Sequence, residues 1–93
     1  MPVIKREFPG KKAHEIYEKV DQVMERLTTK MGLKYDKDPA RKSGKVSKIG
    51  ISGTYLASDG QVVIDLHFPM LVPGAMKRQV QDDIERRLDG LFT

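Results

Sequence analysis

The chain has 93 residues and no cysteine, which fits one domain with one small core and excludes a disulfide framework, a thiolate zinc site and a cysteine nucleophile. Charged residues make up 32% and hydrophobic ones 39%, a globular balance rather than a disordered or membrane one. The net charge of +4 is carried by residues 34–48, where Lys34, Lys37, Arg41, Lys42, Lys45 and Lys48 outnumber Asp36 and Asp38, and the rest of the chain is neutral.

Residues 3–8 predict a short first strand, with Ile4 and Phe8 on one face and Lys5 and Glu7 on the other. Pro9-Gly10 ends it. A helix is expected over 11–31. Ala13, Ile16, Tyr17, Val20, Val23, Met24, Leu27 and Met31 recur at three- and four-residue steps, and Gly32 stands where a helix terminus favours glycine. Residues 33–37 alternate as a second strand, and Asp38-Pro39-Ala40-Arg41-Lys42-Ser43-Gly44 reads as a loop. One strand is predicted over 46–57, with Ile49, Ile51, Gly53, Tyr55 and Ala57 on a shared face and Gly50 and Gly53 weakening it or marking a bulge. Asp59-Gly60 is a hairpin turn. Val62, Ile64, Leu66 and Phe68 then alternate with Val63, Asp65 and His67. Met76, Val80, Ile84, Leu88 and Leu91 give a last helix over 75–91.

The expectation is an α+β domain spanning residues 1–93, in the order β-α-β-β-β-α. A four-stranded antiparallel sheet would carry two helices packed on one face. No apolar run approaches the ~20 residues of a membrane span. Charge at Lys5 and Arg6 comes too early for a secretory leader, so no transmembrane segment and a cytoplasmic location are expected.

Few residues carry chemistry. His14 and His67 lack the spacing of a metal pair, so no metal or cofactor is expected. Asp65 and His67 project from one sheet face. A carboxylate can orient an imidazole for proton transfer, but such a pair is more often a solvated surface feature. With no nucleophile, base and orienter together, a non-enzyme is expected. Arg41, Lys42 and Lys45 are candidates for contact with an anionic surface, against the simpler reading of a solvated loop and a lysine-protected edge strand. Tyr35 is the one aromatic in that stretch, so specific nucleic-acid binding is not expected. Phe68-Pro69-Met70-Leu71-Val72-Pro73 holds more apolar residues than a solvated connection needs. Met70, Leu71 and Val72 are therefore candidate contact residues, with burial beneath the sheet as the alternative.

Several stretches together resemble a known family: Lys5-Arg6, Met31-Gly32-Leu33-Lys34-Tyr35, Gly50-Ile51-Ser52-Gly53-Thr54, Leu66-His67-Phe68 and Ile84-Glu85-Arg86-Arg87-Leu88-Asp89-Gly90-Leu91-Phe92. The chain is similar to the small polyhydroxyalkanoic acid system proteins, bacterial proteins whose genes often lie near polymer-granule genes. It departs from them at Pro69 and Pro73 and is more basic over 36–43. The resemblance implies an accessory role in storage-polymer metabolism with no catalytic residues, and as partner a polyhydroxyalkanoate granule or a granule-associated protein. A monomer or weak homodimer is expected. The alternative is a small apolar-ligand binder with a cavity between sheet and helices, lined by Tyr17, Met24, Tyr55 and Leu66.

Overall fold

Gly50 adopts a left-handed backbone conformation, φ +84°, and turns the chain where one continuous strand was expected. Residues 46–57 therefore supply two paired strands, and the sheet has five strands instead of four. The computed structural model describes residues 3–48, 50–69 and 72–92, without the side chain of Met31; Ile49, placed on the shared face by its alternation, lies outside the described residues.

The elements are β1 (Val3–Glu7), α1 (Ala13–Met31), β2 (Lys34–Asp38), β3 (Ser43–Lys48), β4 (Ile51–Ser58), β5 (Gln61–His67) and α2 (Gly74–Asp89). The order is thus β-α-β-β-β-β-α, and the antiparallel sheet runs β1-β5-β4-β3-β2. Residues 38–44 are less of a loop than expected. Only 39–42 turn, closed by hydrogen bonds from the Arg41 amide to the Asp38 carbonyl (3.2 Å) and from the Lys42 amide to the Pro39 carbonyl (3.3 Å). Ser43 and Gly44 already belong to β3. Gly44 is needed there by its neighbours, because a Cβ at this position would lie 2.7 Å from Tyr55 Cε1 and 2.9 Å from Tyr35 Cε1. Gly53 marks no bulge: the β4–β5 register runs through it unbroken, pairing it with Leu66.

Alternation along the strands builds one apolar face in cross-strand rows. Ile4, Ile64, Tyr55 and Gly44 form one row, and Leu66, Gly53 and Val46 the next. Ala57 and Val62 pair beyond them. Ile16, Tyr17, Val20, Met24 and Leu27 of α1 and Ile84 and Leu88 of α2 close over this face as a single core with Leu91. Both helices therefore cover one side of the sheet, as expected.

The start of α1 and the end of α2 are fixed by tertiary contacts. The Asp59–Gly60 turn accepts the Ala13 amide on Asp59 Oδ1 (2.8 Å), capping the first turn of α1 with a side chain from elsewhere in the chain. The same turn bonds to Phe8 and Lys11 through Gly60. Arg6, on the covered side of β1, reaches Asp89 (Nε–Oδ1 2.9 Å) and Glu85 (3.7 Å) of α2. Packing of α2 on the core begins at Val80. Met76, expected on its apolar stripe, is 49% exposed, because the buried contacts of the helix begin a turn or more later, at Ile84 and Leu88.

Leu66 is buried and Leu56, on the opposite face, is half exposed. Leu66→Ala is expected to cost about 2–5 kcal/mol in denaturant unfolding, and Leu56→Ala less than about 0.5 kcal/mol. Equal losses would contradict the assignment of the two faces.

Candidate functional site

The same alternation that fills the core leaves the other face of the sheet without a covering layer among the described residues. Across it run Val3, Asp65, Thr54, Lys45 and Asp36 in one row, and Lys5, Val63, Leu56, Ser43 and Asp38 in the next. Leu56 and Val63 are a directly opposed pair, with Val3 diagonal to them. Val3 is 56% and Leu56 50% exposed, the largest exposures among the described large apolar side chains together with Met76. A small apolar patch therefore sits in a field of hydroxyls and charges.

The three basic candidates divide between this face and its rim. Lys45 is exposed on the bare face between Asp36 and Thr54. Arg41 stands on the β2–β3 turn, its Nε 3.8 Å from Asp38 Oδ2. Lys42, also on the turn, is at φ +56° and spends its ammonium on the Pro39 carbonyl (3.0 Å), while its own carbonyl accepts the Ala57 amide (2.8 Å). Lys42 is thus partly a turn-forming residue. Arg41 and Lys45 are the freer cations.

Of the apolar connection, Met70 and Leu71 lie outside the described residues. Val72 is half buried, its amide donating to the Pro69 carbonyl (3.1 Å). Phe68 packs against the core. Asp65 and His67 share the bare face as expected, with His67 Nε2 3.6 Å from Asp65 Oδ2 and both side chains 43% exposed. Asp65 Oδ1 has no hydrogen-bond partner among the described residues. No group of three or more metal-ligating side chains occurs among the described residues. No helix there is long and apolar enough to cross a membrane.

On the covered side lies a polar cluster that sequence reasoning missed. The Tyr35 hydroxyl donates to Asp21 Oδ1 (2.7 Å) and lies 2.6 Å from the Tyr55 hydroxyl. An ionised Asp21 can only accept, so Tyr35 gives it its proton and accepts in turn from Tyr55. Lys37 closes the cluster, with Nζ 2.7 Å from Glu25 and 3.4 Å from Asp21. Its hydrogen bond to Glu25 is the main cause of a raised pKa. Tyr17 stacks obliquely on Tyr55, centroids 6.2 Å apart. Burial pushes Tyr55 up to about 12 and raises Tyr35 and Tyr17 above the usual phenol value. With the Tyr55 proton committed to Tyr35 and the Tyr35 proton to Asp21, the neutral phenols make a clamp between α1 and the β2–β4 end of the sheet, and a poor nucleophile. Tyr17, Met24, Tyr55 and Leu66, named from the sequence as cavity lining, are all members of the packed core. Asp21, Tyr35 and Tyr55 are far apart in the chain. The nearest signal in the sequence is Gly44, whose missing side chain admits both rings.

The chain contains three tyrosines, all in this cluster. An unfolded chain ionises its tyrosines near pH 10, while Tyr55 in the folded protein holds its proton to about 12. The cluster's contribution is therefore complete below about pH 10 and is lost as pH rises from there towards 12. Tyrosinate absorbance should stay near zero until unfolding begins, then rise together with loss of the circular dichroism signal. A phenol titrating near pH 10 in an intact fold would contradict the clamp.

Comparison with known proteins yields one family. The family model described as "Putative polyhydroxyalkanoic acid system protein" matches residues 4–92, nearly the whole chain. No curated protein and no solved structure gives a significant match. The chain belongs to the polyhydroxyalkanoic acid system protein family.

Proposed function

We propose that this member of the polyhydroxyalkanoic acid system family is a non-enzymatic accessory protein of storage-polymer metabolism, and that it binds the granule surface through the bare face of its sheet. The observation that carries the reading is the patch of exposed Val3 and Leu56 with half-buried Val63, flanked by Lys45, Thr54 and Lys5. A polyhydroxyalkanoate is an aliphatic polyester, rich in alkyl groups and in carbonyl acceptors but without donors. Apolar side chains set among ammonium and hydroxyl donors match both features. Apolar burial supplies the attraction, and the donors meet the ester carbonyls as water leaves. Arg41 and Lys45 add attraction wherever the granule surface is anionic, weakened by salt.

Fully burying aliphatic side chains is worth about 1.5–3 kcal/mol each, so replacing two of them should weaken surface binding by roughly tenfold or more. Leu56→Ser with Val63→Ser is expected to abolish co-sedimentation with isolated granules while the melting temperature stays close to wild type. Reversing Arg41 and Lys45 to glutamate should weaken binding mainly at low salt. The segment of Met70, Leu71 and Val72 is the competing contact. If Leu71→Ser with Val72→Ser abolishes co-sedimentation and the sheet-face variant does not, the contact lies there and the bare-face reading is wrong.

A further inference from the structure

The two helices lie on the same side of the sheet without packing tightly on each other: α1 rests on the β2–β5 part of the sheet and α2 on the edge strand β1. Between them runs a cleft of about 350 Å³, within the size range of small-molecule sites. Its lining is mostly polar: four cations, Lys19, Arg26, Arg86 and Arg87, stand with Gln22 and Gly90 beside the apolar Val23 and Leu91. Among the described residues no carboxylate lines it. Lys19, Val23 and Arg26 occupy successive turns of one α1 stripe, facing the last turn of α2 and the residues after it.

Arg86 and Arg87 alone would need no ligand, since basic residues in a last helical turn are stabilised by the helix dipole. That reason does not reach Lys19 and Arg26, in the middle of α1. Among the described residues Lys19, Arg26 and Arg86 form no ion pair, and Arg87 has only Asp83, at 3.4 Å (Nε–Oδ2). Four like charges around a concave site raise the local potential and attract an anion. Guanidinium groups match phosphate oxygens two at a time.

We propose that this interhelical cleft binds a small molecule carrying two or more phosphate groups, held by Arg26, Arg86, Arg87 and Lys19 with its uncharged part over Val23 and Leu91. This site is on the helical side, opposite the bare sheet face, and the proposal stands independently of granule binding. The concave shape favours a soluble phosphate over a lipid headgroup at a flat membrane.

The test is titration of isotope-labelled protein with ATP, pyrophosphate and inorganic phosphate in low-salt buffer, followed by amide chemical shifts. ATP and pyrophosphate are expected to bind more tightly than inorganic phosphate. Their shifts should centre on residues 19–26 and 86–91, and affinity should fall as salt is added. Arg26→Gln with Arg86→Gln should weaken ATP binding by about tenfold or more without lowering the melting temperature. Lys19→Gln with Arg87→Gln, drawn from the same two walls, should do the same if the first pair proves unstable. The proposal is overturned if ATP produces no saturable shifts, or if they map instead to residues 34–48. It is equally overturned if both double variants bind like wild type, or if phosphatidylglycerol vesicles bind at the cleft while the soluble phosphates do not.

Discussion

The pairing register of β5 is the constraint on which the rest depends. Val62, Ile64 and Leu66 stand in register with Ile4 and Arg6 on one side and with Gly53, Tyr55 and Ala57 on the other. A slip of one residue would bring Val63, Asp65 and His67 under the helices and expose the core set to water. Asp65 would then be a buried carboxylate without a cation, a cost of several kcal/mol. The register thus decides at once where both helices can sit and which residues remain on the bare face.

One-sided cover also explains where the charge goes. β1 and β2 are the sheet's edges, each only five residues long and rich in charge, a common defence against edge-to-edge pairing. Lys34 and Lys37 of β2 are accounted for in that way, and Lys37 also closes the tyrosine cluster. Lys45 is not. It lies on an interior strand, on the face that has no helix, beside the Leu56 and Val63 pair. What sets the basic segment apart is therefore this one residue and Arg41 at the rim, more than its summed charge.

Local periodicity made most of this fold legible. The stripe of α1, the alternation of β5, the Asp59–Gly60 hairpin and the burial of both helices against one face could all be read from spacing. The strand count could not. The alternation of Ile49, Ile51, Gly53, Tyr55 and Ala57 runs through Gly50 as though the chain were straight, and only its positive φ shows that it turns. The α2 stripe overreached for a related reason: spacing places Met76 on the same side as Ile84, but the length of helix that the sheet supports is a tertiary property. The tyrosine clamp and the interhelical cleft were beyond reach, since each joins residues from separate elements whose approach only the assembled sheet determines. Of the candidate contact residues, Lys45 and Arg41 fall where a surface role is physically open to them, whereas Lys42 is engaged in its own turn.

The proposed function gives the sheet a working face and a structural face. Amide hydrogen exchange, measured on the free protein and on protein bound to isolated granules, tests it most directly. The account predicts added protection in β1, β4 and β5 around Val3, Leu56 and Val63 and in β3 at Lys45, with exchange in α1 and α2 unchanged. Protection confined to the helices or to residues 68–73, with the strands unchanged, would contradict it.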